Sequence, residues 1–252
     1  NDGSTIELHC VDTTSGLLDV YGDVVVNEKL KSSSDSANTS LRFREVKTLT
    51  IGSDVKTTAL SDLYALNLRH SNGTIDLSEL TTQRVILAST TNCTARATGD
   101  LTITEELELG SGRTFDANSK TITSKLVDLN GTGTFTLGAG ALVLNNVSGG
   151  LTSESGTVLN AGPGCTIGGD ASGQKVPFES QNSFQIVGDI DDLNVTNEEL
   201  TVVGTVTNCT GDILQFTPGH DTTLSLETDT AEDRDIRLGG PSLDNANHLI
   251  AE

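Results

Sequence analysis

The apolar residues of this chain come in short runs, often alternating with polar ones, and the runs are cut by glycine- and asparagine-rich breaks. Alternation with a period of two argues for strands, and helical periodicity is nearly absent. Only Ser61–Leu66 is compatible with a helix, and it is short. Strand-like runs recur from Thr5–Leu8 through Leu17–Val26, Leu41–Ile51, Leu101–Leu109 and Thr121–Leu129 to Thr223–Leu226. Between them stand Asn72-Gly73, Asn130-Gly131, Gly149-Gly150 and Gly162-Pro163-Gly164, which tolerate positive φ and turn the chain. The fold is therefore expected to be all-β.

Short strands at close spacing build either an antiparallel β-sandwich or a parallel β-solenoid, in which each coil stacks on the previous one. A β-solenoid, read as a right-handed parallel β-helix, is the expectation, with the sandwich as the alternative. Similar units recur at coil-length spacing. Leu101–Thr104, Thr121–Ser124 and Thr134–Leu137 read as one ladder. Val127–Asn130, Val143–Asn146 and Val158–Asn160 read as another, with Asn at the bend. A coil interior is narrow, and only 3% of the residues are aromatic, with no Met and no Trp. Abundant Thr and Ser suit the outward positions of a pleated sheet. No strict repeat length stands out. The tetrapeptide Thr91–Thr94 recurs as Thr207–Thr210, which reads as a weak duplication or as chance. Residues 1–228 are expected to form the solenoid, with irregular coils, and residues 229–252 an acidic C-terminal cap.

Charge narrows the partners. Against 35 Asp and Glu the chain has 15 Lys and Arg, a formal net charge of -20. Phosphate binding needs a basic surface, so nucleic acid is excluded as a partner, and anionic membrane surfaces are disfavoured. No apolar run approaches the roughly 18 residues of a spanning helix, so membrane insertion is not expected. The first residue is Asn1 and Met is absent throughout, which reads as a mature chain cut from a precursor or as a fragment of a longer one.

Two strings resemble known families. Asp235-Ile236-Arg237-Leu238 and Gly240-Pro241-Ser242-Leu243-Asp244 resemble a signature near the end of right-handed parallel β-helix domains in secreted bacterial surface proteins and adhesins. The match departs from that pattern by one residue fewer between Gly and Pro, and by Asn245-Ala246 in place of the final Gly. The resemblance spans a small part of the chain and implies a β-helix coil end and an extracytoplasmic setting. It carries no catalytic residue across. Leu18–Asn27 resembles the Gly-Asp-Val strand modules of marine phage fibre and decoration proteins.

Candidate sites are few. Cys10, Cys93, Cys165 and Cys209 form no C-x-x-C pair, and with His9, His70, His220 and His248 they complete no local zinc motif. They are disulfide candidates, with buried thiols as the alternative. Asn-x-Ser/Thr occurs at Asn38, Asn72, Asn92, Asn130, Asn146, Asn194 and Asn208, which are glycosylation candidates if the source glycosylates secreted proteins. Acid clusters stand at Glu105-Glu106-Leu107-Glu108, Asp189-Ile190-Asp191-Asp192 and Glu232–Asp235. Asp189 and Asp191 would share a strand face, as a weak Ca²⁺ candidate or a carboxylate pair. No other cofactor is implied. Phosphate-loop and nucleophile-elbow motifs are absent.

The expected function is a non-enzymatic building block of an extracellular or cell-surface assembly, such as a filament, surface layer or adhesin module. Its partners would be copies of itself or other surface proteins. Thr5, Ile6, Glu7 and Leu8 form the candidate assembly strand. The alternatives are a virion protein, as a capsid decoration or tail-fibre component, and a polysaccharide lyase or hydrolase.

Overall fold

A computed structural model of the chain describes residues 72–87, 92–145, 150–154 and 156–169 continuously, and elsewhere strands and short flanking positions between Ile6 and Leu238. Toward both ends the strands are described largely by their backbone. No helix occurs among the described residues. Ala65 and Leu66, which close the helix-compatible stretch, instead open a strand.

The strands follow in chain order. They begin with β1 (Ile6–Leu8), β2 (Gly16–Val20), β3 (Val24–Val26), β4 (Leu30–Ser32), β5 (Thr39–Arg44), β6 (Thr48–Ile51), β7 (Ala65–Arg69) and β8 (Asn72–Leu77). The middle holds β9 (Leu80–Leu87), β10 (Asn92–Ala97), β11 (Leu101–Leu109), β12 (Thr114–Asp116), β13 (Thr121–Leu129), β14 (Thr134–Gly138), β15 (Ala141–Leu144) and β16 (Leu151–Ser153). After these come β17 (Val158–Ala161), β18 (Thr166–Gly169), β19 (Val176–Glu179), β20 (Gln185–Val187) and β21 (Ile190–Val203). Last are β22 (Val206–Cys209), β23 (Asp212–Pro218), β24 (Leu224–Leu226) and β25 (Arg237–Leu238).

Every described pairing between these strands is parallel, and partners lie one coil apart in sequence. The fold is a β-solenoid, and the antiparallel sandwich is overturned. Parallel strands cannot be joined by hairpins. The Gly and Asn breaks turn the corners of a coil rather than reverse a ladder.

On the first face the middle coils have a fixed length. Thr74, Thr94, Thr114 and Thr134 are successive register partners, 20 residues apart, the separation that also joins Arg96 to Asp76. After β14 the spacing lengthens to 24 residues. Each middle coil has three faces. One is the ladder β8–β10–β12–β14–β17. The other two share β9, β11 and β13, whose front and back halves stack separately. In β13, Thr121–Ser124 pair with β15 while Val127–Leu129 pair with β16.

Alternation sends every second residue inward. On the first face Ile75, Ala95, Phe115, Phe135, Leu159 and Ile186 form one buried row. The rings of Phe115 and Phe135 lie 5.3 Å apart at 51°. That tilted geometry suits the ring quadrupoles and fills the interior of two coils. Leu, Ile and Val fill most of the remaining interior.

The corners are tight β-turns that bond to the coil beside them. Lys120 N donates to Ala117 O at 2.9 Å, with Asn118 and Ser119 both at positive φ (50° and 59°). Asn118 Nδ2 then donates to Ala97 O, one coil away, at 3.1 Å. At the equivalent corner of the next coil, a Cβ on Gly140 would lie 2.3 Å from Lys120 O, so glycine lets the backbones stack.

The expected ladders need redistribution. Leu101–Ile103 do pair with Ile122–Ser124, but Thr134–Phe135 stack on the first face. Val127, Val143 and Val158 belong to three different faces. The repeated tetrapeptide is also split: Asn92 and Cys93 lie in the ladder of the first face, whereas Asn208 and Cys209 pair with Asp192 and Leu193, which continue the second. In the segment read as a C-terminal cap, Arg237–Leu238 form β25, stacked in parallel on Gln215–Phe216.

Candidate functional site: the charged faces

The outward residues sort the three faces by charge. On the first face, Asp76, Arg96 and Asp116 occupy one row. Arg96 Nε and Nη2 donate to the two carboxylate oxygens of Asp76, each at 2.8 Å. That fork, then the charge of Asp76, holds the Arg96 guanidinium above its ordinary pKa, with Asp116 adding to it. Asp116 in turn accepts the Asn118 N–H at 2.8 Å and so shapes the following corner.

The second face, the front halves of β9, β11 and β13 with β15 and β18, carries no such charge. Its central row is Thr81, Thr102, Thr123, Val143 and Gly168.

The third face is the acidic one. A bulge in β11 between Ile103 and Glu106 shifts register against both neighbours. A bulge re-aims side chains. Here the consecutive residues Glu105 and Glu106 both reach cations: Lys125 Nζ donates to Glu105 Oε2 at 3.0 Å, and Arg84 Nη1 to Glu106 Oε2 at 2.6 Å. Further along, Ile86, Glu108, Asp128, Thr152 and Glu179 form a row. Asp128 accepts the Thr152 hydroxyl at 2.8 Å and Asn130 Nδ2 at 3.2 Å. Glu108 receives no hydrogen bond or ion pair among the described residues. Half-burial pushes its carboxyl up, Glu106 and Asp128 push it further, and Arg84 pulls it back. Asp128 and Glu108 are therefore two carboxylates on neighbouring rungs, one accepting two hydrogen bonds and one with its carboxyl pushed up. Paired carboxylates are groups that acid–base chemistry uses.

The other candidates are placed less completely. Asp189 lies outside the described residues, and Asp191 is described only as backbone of β21. No group of three or more His, Cys, Asp or Glu among the described residues is arranged to hold a metal. Cys93 and Cys165 are both buried in the coil interior. Cys10 lies outside the described residues, and Cys209 is described as backbone of β22. Asn72 is exposed, Asn130 half-buried and bonded to Asp128, while Asn92, Asn194 and Asn208 lie in strands and Asn38 and Asn146 outside the described residues. Ile6–Leu8 form β1, paired with β4; Thr5 is outside the description. Among the described residues no helix is long and apolar enough to cross a membrane.

No family model, curated protein or solved structure matches the chain. The third face was legible only in part. Glu105, Glu106 and Glu108 stood out as an acid cluster, but their partners Arg84, Lys125 and Asp128 did not. The 20-residue spacing of Thr74, Thr94, Thr114 and Thr134 would have found Lys125 and Asp128, whereas Arg84, 22 residues from Glu106, needs the bulge as well.

Proposed function

We propose that the chain is a non-enzymatic structural building block of an extracellular or cell-surface assembly, self-associating through strand edges. One observation supports this reading above others. β1 pairs with β4 on one side only, and among the described residues its opposite edge has no strand partner. An unpaired edge templates a further strand, and parallel stacking is already the rule in this fold. The acidic coat opposes indiscriminate pairing elsewhere. Copies of the same chain or other surface proteins are the partners. Deleting residues 1–8 removes β1 without touching the middle coils. The truncated chain should keep its β-rich circular dichroism and lose assembly by electron microscopy. Normal assemblies from the truncated chain would overturn the proposal. A virion role, as a capsid decoration or fibre component, shares this architecture. A trimer without disulfides or glycans, by intact mass with and without reductant, would favour that owner.

The Glu108–Asp128 pair favours a second reading, hydrolysis or elimination on an acidic polysaccharide laid across the third face. Glu108 would donate the proton and Asp128 act as base or nucleophile. A panel of acidic polysaccharides, with and without Ca²⁺, tests it. Depolymerisation abolished by Glu108→Gln and Asp128→Asn would establish it, and inertness across the panel would remove it.

A further inference from the structure

We infer that, of the two sequons whose side chains are described, Asn72 rather than Asn130 is the one that carries an N-linked glycan. Asn72 opens β8 on the outward side of the first face, exposed to solvent, and Thr74 of the same sequon is exposed two residues on. Successive outward residues of a strand share a face, so amide and hydroxyl are presented together. The backbone beneath is fixed: Asn72 N donates to His70 Nδ1 at 3.3 Å, and the His70 ring lies where a side chain on Gly73 would stand. No hydrogen bond engages the Asn72 side-chain amide among the described residues.

The other sequon whose side chain is described is built differently. Asn130 is half-buried in a corner, and its Nδ2, the atom that would be glycosylated, donates to Asp128.

In the transfer step Asn72 Nδ2 bonds to the anomeric carbon of a lipid-pyrophosphate-linked oligosaccharide. The bond from that carbon to the pyrophosphate oxygen breaks, the lipid pyrophosphate leaves, and Nδ2 gives up one proton to the transferase. The inference rests on the extracellular part of the reading above, not on assembly. Loss of assembly on truncation and glycan occupancy are read separately, so each can fail alone.

The test is secretion of the full chain from a eukaryotic host, followed by enzymatic deglycosylation of the monodisperse fraction in ¹⁸O-water and peptide mapping. Asn72 should carry the isotope label, at higher occupancy than Asn130. Thr74→Ala should abolish the label at Asn72. A bare Asn72, or Asn130 labelled as fully as Asn72, would overturn the inference.

Discussion

Asp76 takes both hydrogen bonds of its guanidinium fork from Arg96, at 2.8 Å each, across one coil of 20 residues. The pair lies on the outside of the stack, with the Arg96 side chain 45% exposed. Exposed pairs contribute little net stability, because water screens them and ordering long side chains costs entropy. The fork marks register more than it holds the coil together. Arg96→Ala should lower Tm by no more than about 3 °C. A double-mutant cycle with Asp76→Ala should show coupling that fades in 1 M salt, where the Debye length is about 3 Å.

Glu108 has the opposite character. Its folded pKa is raised, so the fold disfavours its anion. The stability penalty is absent below the unfolded carboxyl pKa, where both states are protonated. It grows as pH rises through the folded value and is complete at neutral pH. Glu108→Gln should therefore raise Tm at pH 7, by about 1–3 °C given the half-exposed site, and leave it unchanged at pH 3. A stabilisation equal at both pH values would contradict the electrostatic origin.

The aromatic pair is where the interior is most demanding. Phe115 and Phe135 are both fully buried. Phe115→Ala should cost about 3–5 kcal/mol in urea unfolding, and Phe115→Leu considerably less. Ala95→Leu, one rung above, should also destabilise, because the space over Phe115 is already closed.

Thr82 offers a stabilising change. It is fully buried beside Ile103, at the rung before the bulge, and among the described residues its hydroxyl has no hydrogen-bond partner. A buried unsatisfied hydroxyl is costly, whereas a methyl of similar shape is not. Thr82→Val should raise stability by about 1 kcal/mol, measured by denaturant midpoint at constant slope.

The sequence disclosed the architecture through period-two runs and turn residues, because inward and outward positions are written locally. It hid the neighbours, because they depend on coil length. Val127, Val143 and Val158 share a local texture yet lie on three faces, since each corner of a triangular coil uses similar turn chemistry. The Glu108–Asp128 pair was invisible for the same reason. Its members are adjacent only when the coil is counted as 20 residues. Asp189 and Asp191 were chosen by nearness along the chain, which in a stacked fold is the weaker kind of nearness.

The constancy of the middle coils has a consequence for how such a molecule changes size. Each middle coil, 20 residues long on the first face, advances the stack by one strand spacing, about 4.8 Å. Gaining or losing one whole coil slides everything downstream along the axis and leaves every rung facing an equivalent partner. A gain or loss of any other length must bulge at a corner or rotate the downstream faces. The molecule can thus be lengthened like a ruler, in fixed graduations, with its chemistry carried unchanged to a new height.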